Sequence, residues 1–142
     1  MATLLDTGIV YAYYDRSDRW HRAAAELFDA ELGGLLLPSA VVPEVDHLLG
    51  ARLGSAARRQ FYRGLVEASY LMVDVPQDRV TRIAEIDERF ADLELGFVDS
   101  SIVALAESLG VPRVATADRR HFEPLARAFA LELVPVPPEN AG

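Results

Sequence analysis

The stretch "GFVDSSIVALAESLGVPRVATAD", Gly96 to Asp118, decides the fold. From Gly96 to Val111 apolar residues fall on nearly every side of a helical projection and Gly110 supplies a stop, which predicts a helix packed in the interior. "RVATAD", Arg113 to Asp118, then reads as a short apolar strand ending on an acid. That is the form of a buried strand whose last residue emerges at the edge of a sheet.

Outward from this core the alternation continues. "ATLLD" (Ala2 to Asp6), "GGLLLP" (Gly33 to Pro38), "YLMVDV" (Tyr70 to Val75) and "LELVPV" (Leu131 to Val136) read as further short strands. Between them, Ser17 to Leu32 places Trp20, Ala24, Leu27, Phe28 and Leu32 at helical spacing. A second helix from Ser39 carries Val41, Val42, Val45, Leu48 and Leu49 and stops near Gly50 or Gly54. Pro43 lies in its first turn, where the missing N–H costs least, so the start falls between Ala40 and Pro43. Ser55 to Ala68 predicts another helix. Asp78 to Leu95 predicts an amphipathic one on Val80, Ile83, Ile86 and Phe90, while "DRRHFEPL" after the fourth strand reads as a short turn. Short strands alternating with helices specify an α/β fold with a mainly parallel central sheet of four or five strands, covered by helices on both faces. One domain over residues 1–142 is expected, with 136–142 as a frayed tail.

Composition narrows the function. A chain of 142 residues buries roughly 68 to 70% of its unfolded surface, enough for a core without staples. It has no cysteine, which excludes disulfides, thiolate metal sites and a catalytic thiol. All 14 basic residues are arginine. Without lysine there is no P-loop and no Schiff-base chemistry, and a phosphoacceptor signalling domain would lack the lysine that senses its phosphoryl group. The net charge of −8 runs against a simple basic footprint for nucleic acid. No apolar run is long enough for a membrane span, and Asp6 interrupts the start before a signal peptide's apolar region forms. A soluble, cytoplasmic protein is expected.

"LLDTG", Leu4 to Gly8, matches the aspartic protease signature, but that fold is nearly all β and needs a strand ahead of the loop. In an open α/β sheet, ligands bind beyond the carboxyl ends of the strands, where Asp6 and Asp118 are expected. Each also reads as a turn or helix cap. Glu44 in "AVVPEVDHLLG" and Asp99 in "LGFVDSSIVALAE" stand in otherwise apolar segments, Asp99 near a helix N-terminus that favours its ionised form. Phe97, Val98, Ile102 and Val103 make that a costly place for an unpaired acid. Four carboxylates brought together repel one another unless a cation neutralises them. All-oxygen ligation suits Mg²⁺ or Mn²⁺.

In order and spacing, "LLDT", "PSAVVPEV", "FVDSSIVALAESLG" and "VATADRRHF" resemble the PIN-domain family, and within it the VapC-type ribonuclease toxins of toxin-antitoxin modules. The resemblance covers almost the whole chain. It implies a PIN-like three-layer α/β/α sandwich, Mg²⁺- or Mn²⁺-dependent endoribonuclease activity, a homodimer and a small VapB-like antitoxin that blocks the site. By this resemblance Asp6, Asp99 and Asp118 would bind the principal metal, and Glu44 would bind a second ion or orient the attacking water. Thr7 and Thr116 would support the ligands through their hydroxyls. Arg119 and Arg120, with the "RRQFYR" cluster from Arg58 to Arg63, are candidate contacts to RNA or antitoxin. Asp46 and Glu94 are spare acids. His21, His47 and His121 show no metal-ligand spacing; for His121 a contact to substrate is one reading, and a surface role is expected ahead of it. The competing expectation is a catalytically silent PIN-like module that binds RNA or protein.

Overall fold

The computed structural model describes residues 1–139. Its strands are β1 (Thr3–Leu5), β2 (Leu35–Pro38), β3 (Leu71–Val73), β4 (Arg113–Ala115) and β5 (Glu132–Val134). Its helices are α1 (Thr7–Tyr14), α2 (His21–Ala30), α3 (Val41–Arg52), α4 (Ser55–Val66), α5 (Val80–Arg89), α6 (Gly96–Leu109) and α7 (Arg119–Phe129). The five strands form one sheet in the order β3-β2-β1-β4-β5, every pairing parallel.

This order follows from the connections. Parallel neighbours need crossovers, and the crossovers in such sheets are right-handed. The chain winds outward from β1 through β2 to β3, then returns across the sheet to β4 and β5. Helices α1 to α4 pack against one another, as do α5 to α7, and the reversal of direction puts the two groups on opposite faces. The order reverses between β1 and β4, whose carboxyl ends therefore border a crevice. Leu4 pairs with Val114 and Leu5 with Ala115, so Asp6 and Thr116 leave the sheet side by side.

One continuous apolar core fills both interlayer spaces, with Leu4, Leu5, Leu37, Val114 and Ala115 from the strands and Phe61, Ile86, Ile102, Phe122 and Leu125 from the helices. Burying each large side chain contributes about 1.5 to 3 kcal/mol. In α6, every residue from Ser100 to Ala106 is buried. The helix ends where Gly110 takes a left-handed φ of 66°, a conformation that costs glycine least.

Several boundaries differ from expectation, for identifiable reasons. Helix α1 was not anticipated: "TGIVYAYY" buries four consecutive residues, Ile9 to Ala12, and so shows no helical stripe. The turn expected at "DRRHFEPL" is the start of α7, whose buried stripe holds Phe122 and Leu125 despite the internal Pro124. Helix α2 starts four residues late because Asp15 and Asp18 bond the backbone N–H groups of Ser17 and Trp20 and hold that segment in turns. Its end at Ala30 leaves Leu32 exposed rather than on the buried stripe. The single helix expected over Asp78 to Leu95 ends at Arg89, because Phe90 leaves the helical region with φ −110° and ψ 38° and a tight turn over Ala91–Leu93 then closes on Glu94 at a left-handed φ of 52°. Val80 is correspondingly exposed while Ile83 and Ile86 are buried. The expected tail begins at Val136; residues 140–142 of it lie outside the described residues.

Candidate metal centre

Asp6 follows β1 directly and is the N-cap of α1. Its backbone N–H donates to the Ala115 carbonyl at 2.9 Å, which continues the β1–β4 pairing one step beyond the sheet. One side-chain oxygen accepts from the Thr7 N–H at 2.8 Å, and the other accepts from the Thr116 hydroxyl at 2.8 Å. The capping role and a place in the site are thus held by the same carboxylate.

The two threonines join the acids together. Thr116, fully buried, donates its hydroxyl hydrogen bond to Asp6 and accepts from the Asp118 N–H at 2.9 Å. Thr7 donates its hydroxyl to Glu44 at 2.5 Å. Glu44 lies in the first turn of α3 and is exposed at the mouth of the crevice. Asp118 is the N-cap of α7 and accepts from the His121 N–H at 3.1 Å. Asp99 projects from the first turn of α6.

The charges of these acids act on one another. Burial is the main force pushing the Asp6 carboxyl up to about 6; the bonds from Thr116 and Thr7 oppose it, and the charges of Asp118 and Glu44 add to it. Asp99 is pushed up to about 7, first by burial, then by Asp6 and Asp118, with His121 opposing. The four acids separated by up to 112 residues in sequence (Asp6 to Asp118) therefore share one field. Among the described residues no arginine pairs with Asp6, Asp99 or Asp118. Such a cluster has more negative charge than its surroundings neutralise, and its oxygen donors fit a hard divalent cation.

The imidazole of His121 joins the cluster, contrary to the surface role expected for it. Its Nδ1 lies 2.6 Å from an Asp118 oxygen and 3.6 Å from an Asp99 oxygen. Donor atoms of Asp99, Asp118 and His121 all fall within 4.8 Å of one another. The sequence holds a signal for this placement, an aspartate N-cap with histidine three residues on, but it acquires meaning only once "DRRHF" is known to open a helix.

The other candidates are placed elsewhere. Arg119 donates to the Pro135 carbonyl and lies over the Trp20 ring at 5.6 Å, whereas Arg120 is exposed. Asp46 accepts from the Tyr62 hydroxyl and pairs with Arg58 at 3.7 Å. Glu94 is exposed on its left-handed turn.

A parallel 3-2-1-4-5 sheet with carboxylates at its switch point defines a class, and the family model for the PIN domain matches residues 3–128: the chain belongs to the PIN-domain family. Among individual relatives, it is 29% identical over 122 residues to ribonuclease VapC26 of Mycobacterium tuberculosis, a match covering 86% of this chain and 90% of the relative. The crystal structure of VapC20 from the same organism, described as a Sarcin-Ricin loop cleaving toxin, superposes with a TM-score of 0.81 at 23% identity, covering 96% of this chain and all (100%) of that one. A toxin-antitoxin complex from Klebsiella pneumoniae gives a TM-score of 0.69 at 19% identity, covering 97% and 99% of the two chains. These superpositions establish a shared fold. Among the described residues no helix is long and apolar enough to cross a membrane.

Proposed function

We propose that this chain, one PIN-type domain over residues 1–142, is a Mg²⁺- or Mn²⁺-dependent endoribonuclease and the toxin of a VapBC-type module. The observation that carries the reading is Asp99 and Asp118 meeting at the carboxyl edge of the sheet, with Asp6 linked to Asp118 through the Thr116 hydroxyl. Kinship to a ribonuclease supports RNA as the substrate. Likeness to a toxin-antitoxin complex supports a small antitoxin as partner. The module would act in the cytoplasm as a homodimer and inhibit translation.

Asp6, Asp99 and Asp118 would hold the cation. When bound, it supplies Lewis-acid stabilisation of charge on the phosphodiester and favours ionisation of the attacking water. Asp6 is fixed in place by Thr7 and Thr116, so its oxygens need not reorganise. Glu44, tethered to Thr7 but open to solvent, orients the attacking water and takes its proton. Arg120 contacts a phosphate beside the cleavage point; Arg119, engaged with Trp20 and Pro135, must first release these partners to do the same. Cations held in the site offset the chain's negative charge where RNA approaches.

The test is cleavage of a panel of structured RNAs by purified, untagged protein. Cleavage that needs Mg²⁺ or Mn²⁺, stops in EDTA and is lost in folded Asp6→Asn and Asp99→Asn is expected. RNA binding without hydrolysis under either ion would assign a silent module instead, and undiminished cleavage by both variants would refute the proposed site.

A further inference from the structure

We infer that His121 is itself a metal ligand, placing one nitrogen donor among the carboxylates and tilting the site from Mg²⁺ toward Mn²⁺ and the first-row ions beyond it. The inference rests on the metal-nuclease reading above but goes further, because that reading needs oxygen donors alone.

Geometry carries it. Asp118 caps α7 through the His121 N–H at 3.1 Å, which fixes the third residue of the helix over the crevice and turns the imidazole inward. Its Nδ1 then faces two acids from different elements, Asp118 at 2.6 Å and Asp99 at 3.6 Å. Adjacent ligands of a six-coordinate ion of this size stand about 3 Å apart. The three donor atoms, all within 4.8 Å of one another, thus form a face that one ion can span. The 2.6 Å contact joins Nδ1 and an Asp118 oxygen in a hydrogen bond; with an ion bound, His121 and Asp118 would hold it through these atoms. The ring of His121 is partly buried, with 23% of its side chain accessible, and its approach to two acids is more than a surface histidine needs.

The chemical consequence is selectivity. Mg²⁺ favours oxygen ligands, whereas imidazole binds increasingly well along the series from Mn²⁺ to Co²⁺ and Ni²⁺. An oxygen-only cluster and a mixed cluster are therefore distinguishable by binding, without reference to cleavage.

The experiment uses untagged full-length protein without RNA. Pulsed EPR of its Mn²⁺ complex should show nitrogen modulation that changes on ¹⁵N-histidine labelling and vanishes in His121→Asn. Calorimetric titration should show that this variant loses roughly tenfold or more in Co²⁺ affinity, with Mg²⁺ affinity changed less than about threefold. Absence of nitrogen modulation in the wild-type complex would overturn the inference, and that measurement needs no variant to fold. Equal losses for Co²⁺ and Mg²⁺ would also overturn it, because His121 would then act only through its bond to Asp118. Failure of the carboxylate site has a separate signature: Mn²⁺ and Co²⁺ affinities unaffected by Asp99→Asn.

Discussion

Replacing Asp99 by asparagine should make the metal-free protein more stable at pH 8. The substitution keeps the side chain's size and removes a charge that burial and the nearby Asp6 and Asp118 oppose. With its carboxyl held at about 7 against an ordinary 3.8, Asp99 is protonated more readily in the folded than in the unfolded chain. A group shifted upward in this way contributes stability below about pH 4, and the contribution is lost as pH rises through 7. The gap is equivalent to roughly 4 kcal/mol at pH 8. Part of it returns as hydrogen bonding that the new amide fails to make, about 1 to 2 kcal/mol, so a net gain of about 2 to 3 kcal/mol is expected. For a chain of this size that raises the melting temperature by roughly 6 to 9 °C.

Thermal unfolding in EDTA, followed by circular dichroism from pH 4.5 to 8, measures it. The difference between variant and wild type isolates Asp99 from carboxylates common to both. It should be small or negative at pH 4.5 and grow steadily above pH 5. Saturating Mn²⁺ at pH 8 should reverse the order, since only the wild type retains every ligand; an ion at about 1,000 times its Kd adds about 4.1 kcal/mol. A variant no more stable than wild type at pH 8 in EDTA would refute the account of charge crowding in the crevice.

Thr116→Val should cost about 1 to 3 kcal/mol, because it leaves one oxygen of the buried Asp6 and the Asp118 N–H each without a partner; urea unfolding would reveal it, and a neutral result would deny the threonine its bridging role. Arg113→Met tests the opposite edge of the sheet, where the guanidinium joins Glu31, Glu132 and the buried Thr3. Removing that cation should destabilise by about 3 to 5 kcal/mol, with metal affinity by calorimetry unchanged. Phe122→Ala, cutting into the buried stripe of α7, should lose about 3 to 5 kcal/mol in chemical unfolding.

The sequence reveals most clearly the elements whose apolar pattern is simple. β1 and β4 are short apolar runs ending at an acid or a few residues before it, and α6 is apolar on nearly every side between Gly96 and Gly110. Less is visible where local and tertiary demands differ. In α1, burial of successive residues hides the helical period, and in α7 a proline and a polar first turn resemble a loop. The placement of His121 depends on α7 and was lost with it. Asp6, Glu44, Asp99 and Asp118 stand out as acids in apolar contexts, but their hydrogen-bonded connection through Thr7 and Thr116 depends on the β1–β4 register. That register joins residues 110 apart and has no local trace.

The central position of β1 also sets an order of events during synthesis. Asp6 leaves the ribosome well ahead of its neighbour strand β4, which begins only at Arg113. Closing a loop of that length costs about 4 kcal/mol in chain entropy, and the closure waits until most of the chain has emerged. A PIN domain built this way has no assembled carboxylate centre until that closure is made. The acids come together only as β4 and the start of α7 fold back against the first strand.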